Sequence, residues 1–196
     1  MNDDTATNGV SMNADIMNSD ALMYLIAVIL PKDFAEKIFA LQKKFKTPAW
    51  NITVGPHITL MPPARAMASM KTAALQLRDL ARELKEFEIE VSGIGFFKNA
   101  SKTIFAKVEL SESILTLRQA LAEAAPKFMD FRSENPEFHP HITIANKLDD
   151  KNFRPVLLEI QKEFKGFKFL CNNFSLLTKS PKIPKWLETE TILLSS

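Results

Sequence analysis

The chain has 196 residues, 46% of them hydrophobic and 24% charged, the mixture of a folded soluble protein and not of a disordered one. A chain of this length buries roughly 70% of the surface it exposes when unfolded, so a core needs neither a disulfide nor a structural metal. The net charge of +2 is too small for a protein that coats nucleic acid, and the five glycines include no phosphate-cradling loop, because Lys98 stands where Gly93-Ile94-Gly95 would need its third glycine. The single cysteine, Cys171, can close no internal disulfide, which suits a reducing, cytoplasmic compartment.

Residues 1–20 are rich in Asn, Asp, Ser, Thr and Met and hold no Lys or Arg. They lack the charged start and apolar run of a secretory signal, and read as a disordered tail ahead of a single domain over 21–196. The apolar run from Ala21 to Leu30 has about half the length of a membrane span and reads as a buried strand closed by Pro31. Phe34, Ile38, Leu41 and Phe45 then recur at helical spacing. A strand follows over His57 to Met61, between Gly55-Pro56 and Pro62-Pro63. Met70, Ala73, Ala74, Leu77, Leu80, Ala81 and Leu84 make one stripe of a helix over Ala66 to Leu84. Alternating apolar residues over Phe87 to Phe97 and Thr103 to Leu110, joined by the polar turn Lys98 to Lys102, predict a hairpin. Ser111 to Ala125 reads as a helix, Pro140 to Asn146 as a strand, Asp149 to Phe164 as a helix, and Phe167 to Leu177 and Trp186 to Leu194 as two further strands. The expectation is an α+β chain of about seven strands and four helices. The order strand, helix, strand, helix, strand occurs twice without a linker between, which predicts two similar lobes that do not separate, with a central cleft.

Self-similarity carries the chemistry. Pro56-His57-Ile58-Thr59-Leu60 returns almost unchanged as Pro140-His141-Ile142-Thr143-Ile144, and the chain has only three histidines. Two of three histidines followed by apolar, Thr, apolar arise by chance at roughly one in two thousand. On a strand, residues i and i+2 share a face, so each histidine stands beside its threonine while Ile58, Leu60, Ile142 and Ile144 anchor the strand in the core. Two such strands facing one cleft would present two imidazoles and two hydroxyls to a single anion. An imidazole titrating near neutral pH can take a proton from an attacking water or hydroxyl, and a second can give one to a leaving oxygen. The hydroxyls can donate to phosphate oxygens as charge builds.

These paired strings resemble those of the 2H phosphoesterase superfamily, in particular its 2′-5′ RNA ligase-like, or cyclic phosphodiesterase, branch. The resemblance extends over about residues 22–194, from the apolar first strand through both strings and the hairpin at Gly93-Ile94-Gly95-Phe96 to the closing strand near Trp186. It implies a bilobal α+β fold with a mainly antiparallel sheet and flanking helices in each lobe and the site in the groove. It also implies hydrolysis of 2′,3′-cyclic phosphate ends or reversible 2′-5′ ligation of RNA, with neither metal nor other cofactor. His57 and His141 would be the acid/base pair and Thr59 and Thr143 the phosphate-binding hydroxyls. The partner would be RNA or a nucleotide with a cyclic or 2′-5′ phosphate, met by a monomer without a membrane.

Two other readings stand beside this one. His139 could share the face of His141, so His57, His139 and His141 could be the three ligands of a hydrolytic zinc, which would leave the matched threonines without a role. A non-catalytic RNA-binding module could stack bases on Phe96, Phe97, Phe105, Phe128, Phe131 or Phe138 and hold phosphates with Lys98, Lys102, Arg132 and Lys147.

Overall fold

The computed structural model describes residues 22–98, 102–131, 137–183 and 185–196; the expected tail over 1–20 and the hairpin tip at 99–101 lie outside the described residues. In chain order the elements are β1 (Met23–Ile29), α1 (Lys32–Lys44), β2 (His57–Arg65), α2 (Met70–Ala81), β3 (Phe87–Phe97), β4 (Thr103–Val108), α3 (Glu112–Ala124), β5 (His141–Ala145), α4 (Asp150–Glu163), β6 (Phe167–Cys171), β7 (Asn173–Lys179) and β8 (Leu187–Leu193). They form two four-stranded antiparallel sheets, ordered β2-β1-β7-β8 and β5-β4-β3-β6, with helices alongside. Among the described residues no helix is long and apolar enough to cross a membrane.

Four differences from the sequence reading have physical causes. The stretch Phe167 to Leu177 is two strands, not one, because the chain changes sheet at Asn172: β6 pairs with β3 and β7 with β1. Strand β2 continues past Met61 through Pro62 and Pro63 to Arg65. An edge strand tolerates prolines, and both fall where the ladder slips between the Tyr24–Ala64 and Ile26–Met61 pairs, at a bulge that asks no amide of them. Helix α2 starts at Met70 and not at Ala66, because the Ser69 hydroxyl accepts from the Thr72 N–H and caps it there. In β3 the apolar spacing lengthens from two to three between Val91 and Ile94, and the ladder with β4 shifts register at that step.

The repeated order of elements does not map one repeat to one lobe. Strand β3, the last of the first repeat, crosses into the second sheet, and β7 and β8 complete the first. Helix α1 packs against β5 and α3 against β2, so each repeat braces the other's motif strand. Beneath both sheets runs one buried cluster that includes Tyr24, Ile58, Leu60, Leu77, Ile104, Leu117, Leu121, Phe128, Ile142, Ile144 and Phe174. Burying a side chain of this size stabilises by about 1.5 to 3 kcal/mol, so the anchoring isoleucines of the two strings fix their strands firmly.

Candidate functional site

The strings form the N-terminal parts of β2 and β5, which are the edge strands of their sheets and touch each other. Their burial repeats residue by residue: proline buried, histidine half-buried, isoleucine buried, threonine half-buried, then a buried aliphatic residue. The matched prolines have a reason. Proline fixes its own φ and biases the preceding residue to extended backbone, which turns the carbonyl before it back toward the histidine after it. His57 Nδ1 lies 2.7 Å from Gly55 O, and His141 Nδ1 lies 2.8 Å from His139 O. A carbonyl only accepts, so both rings carry their proton on Nδ1 and turn the same nitrogen, Nε2, outward with no hydrogen bond among the described residues. The proline carbonyls are themselves held alike, Pro56 O by Leu30 N at 3.5 Å and Pro140 O by Val108 N at 3.3 Å.

Burial pushes both imidazoles below the ordinary histidine value of 6.5, and in each case the backbone carbonyl on Nδ1 opposes the shift. The charge of His141 lowers His57 further, and that of His139 lowers His141. His57 and Thr143 line one small cleft of about 130 Å³, together with Gln42, Trp50 and Asn146. Thr59 follows His57 on the same face of β2. Both threonine hydroxyls are without a hydrogen bond among the described residues, and so are available as donors.

The sequence reading missed two polar groups of this cleft. Gln42 is only 4% exposed; its Nε2 donates to Thr143 O at 2.7 Å while its Oε1 has no partner among the described residues. Its signal was a polar residue four positions after Ile38, on the apolar stripe of α1. Asn146 Oδ1 accepts from Thr103 Oγ1 at 3.0 Å and from Lys147 N at 2.8 Å, which settles its orientation and leaves Nδ2 unbonded among the described residues. Lys147 takes a left-handed conformation, φ 57°, at this strand end.

The alternative residue sets fare differently. His57, His139 and His141 do not converge: β5 begins only at His141, and His139 is exposed, with Nε2 2.9 Å from Glu137 Oε2. Among the described residues no three histidine, cysteine, aspartate or glutamate side chains are placed to hold a metal ion. Of the six candidate stacking rings, Phe128 is core, Phe96 packs on Phe153, and Phe131 and Phe138 flank the Arg118 guanidinium. Only Phe97 and Phe105 meet a motif residue, with ring centroids 5.2 and 4.9 Å from that of His141. Lys102 is paired with Asp150, Lys98 lies over Phe96, Lys147 is exposed, and Arg132 lies outside the described residues.

Phe105 rests where it does because residue 95 is glycine. A Cβ there would stand 2.5 Å from Phe105 Cε2, so Gly95→Ala forces the ring off its seat beside His141. Overpacking of this kind costs about 1 to 3 kcal/mol. The denaturant midpoint of Gly95→Ala is expected to fall accordingly, and an unchanged midpoint would mean that the ring moves freely.

A profile of the 2′-5′ RNA ligase superfamily matches residues 30–182, and the chain belongs to that superfamily. A protein of Oceanobacillus iheyensis named as a putative phosphoesterase is 28% identical over 174 residues, covering 88% of this chain and 98% of its own. One of Bacillus cytotoxicus with the same description is 29% identical over 159 residues, covering 79% and 88%. Among solved structures, Escherichia coli LigT superposes with TM-score 0.63 at 18% identity, covering 91% of this chain and all of LigT. TT0787 of Thermus thermophilus superposes with TM-score 0.63 at 21% identity, covering 88% of this chain and 97% of its own. The fold is therefore the LigT-like α+β fold.

Proposed function

We propose that the protein is a metal-independent phosphoesterase that opens 2′,3′-cyclic phosphates, or makes and breaks 2′-5′ linkages, in RNA or nucleotides. The observation that carries this reading is the pair of equally oriented imidazoles, one from each sheet, on touching edge strands with a free hydroxyl two residues on. The nucleotide as substrate is supported by LigT, which has been crystallised with 3′-AMP and with phosphate.

In hydrolysis of a cyclic phosphate, the neutral Nε2 of one histidine takes a proton from water as the new P–O bond forms. The Nε2–H of the other, protonated, ring passes its proton to the ribose oxygen as the old P–O bond breaks. One proton enters the pair and one leaves, and the product is a phosphate monoester. In ligation the roles exchange, so each histidine serves as acid or base according to direction. Thr59 and Thr143 donate to the non-bridging oxygens, where charge grows in the transition state.

Replacing Thr59 or Thr143 by valine removes such a donor and is expected to raise the barrier by about 1.5 to 3 kcal/mol, the worth of a hydrogen bond to a charged group. A rate unchanged in either variant would show that its hydroxyl faces elsewhere. The reading as a whole is tested with the purified protein, with and without EDTA, on a panel of 2′,3′-cyclic nucleotides and 2′-5′-linked dinucleotides, following which phosphate isomer appears. Turnover that survives the chelator is the expected result. Turnover lost with EDTA and restored by zinc would overturn it, as would no turnover on any member of the panel.

A further inference from the structure

The strings are alike, but their neighbours across the ladder are not. His57 pairs with Ile29 of β1, whereas His141 pairs with Lys107 of β4. Residues directly opposite in an antiparallel pair point to the same face, so a cation accompanies His141 where an aliphatic chain accompanies His57. Lys107 is the one exposed residue of β4, whose remaining positions are buried. It makes no ion pair among the described residues; Glu109, two residues on, accepts from the Ser92 hydroxyl and keeps its charge.

Beside this lysine lies a depression of about 350 Å³ whose lining includes Phe97, Phe105, Lys107, Glu109, His139 and Pro140. Its aromatic part is continuous with the catalytic candidate: the Phe97 and Phe105 centroids are 4.4 Å apart and both rings pack on His141. Gly95 allows this, since a Cβ there would come within 2.5 Å of Phe105 and 3.2 Å of Lys107 Cε. Aromatic rings that stack bases beside a cation that tracks the backbone are the two parts of a single-strand binding surface.

We propose that this depression takes the nucleotide next to the reacting phosphate of an RNA strand, with its base against Phe97 and its phosphate on the Lys107 ammonium. The preferred substrate is then an oligonucleotide end and not a cyclic mononucleotide. The proposal rests on the phosphoester reading only for the identity of the reacting group, so binding and turnover test them separately.

The experiment is equilibrium binding of the full chain to a fluorescent single-stranded oligouridylate ending in a 3′-phosphate, against uridine 3′-monophosphate, over a series of salt concentrations. Stacking one further base predicts an affinity for the oligomer roughly 10-fold or more above that for the monophosphate. Each phosphate neutralised on a single strand contributes about 0.7 to the slope of log affinity against log salt, so Lys107→Met should flatten the slope by about that amount while Lys107→Arg keeps it. Lys168→Met, which removes a lysine paired with Glu88 and Glu90 elsewhere on the second sheet, should leave the slope unchanged. Equal affinities for oligomer and monophosphate, or a wild-type slope in Lys107→Met, would overturn the proposal. Binding as expected without turnover of any cyclic phosphate or 2′-5′ linkage would uphold the subsite and sink the catalytic reading.

Discussion

Alanine at position 57 or at position 141 is expected to lower turnover by roughly 10²-fold or more in either single variant, the scale of a general acid or base term. The expectation follows from geometry shared by the two rings. Each is pinned by an Nδ1–H bond to a backbone carbonyl, which leaves Nε2 without a hydrogen bond among the described residues. Because the two act on one reaction coordinate, the double variant should lose little more than the worse single one. Each substitution also removes a hydrogen bond worth about 0.5 to 1.5 kcal/mol, so unfolding midpoints must accompany the rates to separate chemistry from folding. Near-normal turnover with either alanine removes that residue from the mechanism.

The second large effect is on pH dependence. On the proposed mechanism turnover requires one imidazole neutral and the other protonated, so kcat/KM against pH should describe a bell bounded by the two titrations of the free enzyme. Burial first, and imidazolium charge after it, from His141 on His57 and from His139 on His141, lowers both groups below 6.5. The maximum therefore lies on the acid side of 6.5, and the rate declines as the pH rises through neutrality because the protonated partner is lost. The two limbs belong to the pair and not to one ring each. Stability moves the opposite way. With folded-state values depressed, the unfolded chain binds more protons below 6.5, so the stability contributed by the neutral rings is present above that pH and is lost as the pH falls through the folded-state values. Denaturant midpoints across that window should drop toward acid in the wild type and drop less in His57→Ala. A rate maximum above neutral pH would contradict the buried setting of the rings.

Much of this was legible in the chain because strong local signals agreed. The duplicated string located the two strands, and its alternation gave the faces, since Ile58 and Ile142 are buried while the histidines and threonines are half-buried. Helix stripes and the starts of α3 and α4 at Ser111 and Asp149 are likewise local, whereas the stripe of α2 alone predicts a start at Ala66 and misses the cap at Ser69. What escaped was non-local. Asn172-Asn173 is the one turn signal between Phe167 and Leu177, and a single polar pair between two apolar runs does not say that the chain changes sheet, since that change is made by pairing. The prolines of β2 argue for a strand end unless the edge position is already known. Lys107 becomes a neighbour of His141 only through the register of β4 with β5, and Gln42 meets Thr143 only because α1 crosses to the other half of the molecule. A single polar residue inside an otherwise apolar strand or stripe was the trace that each left.

The crossed bracing of α1 on β5 and α3 on β2 bears on how such a protein could have been assembled from a shorter ancestor. A lone copy of the repeat would hold its reactive strand on one side only, with the supporting helix turned away from it. On this packing a second copy supplies the helix that backs each motif strand, so neither half of the chain could seat its own histidine strand alone.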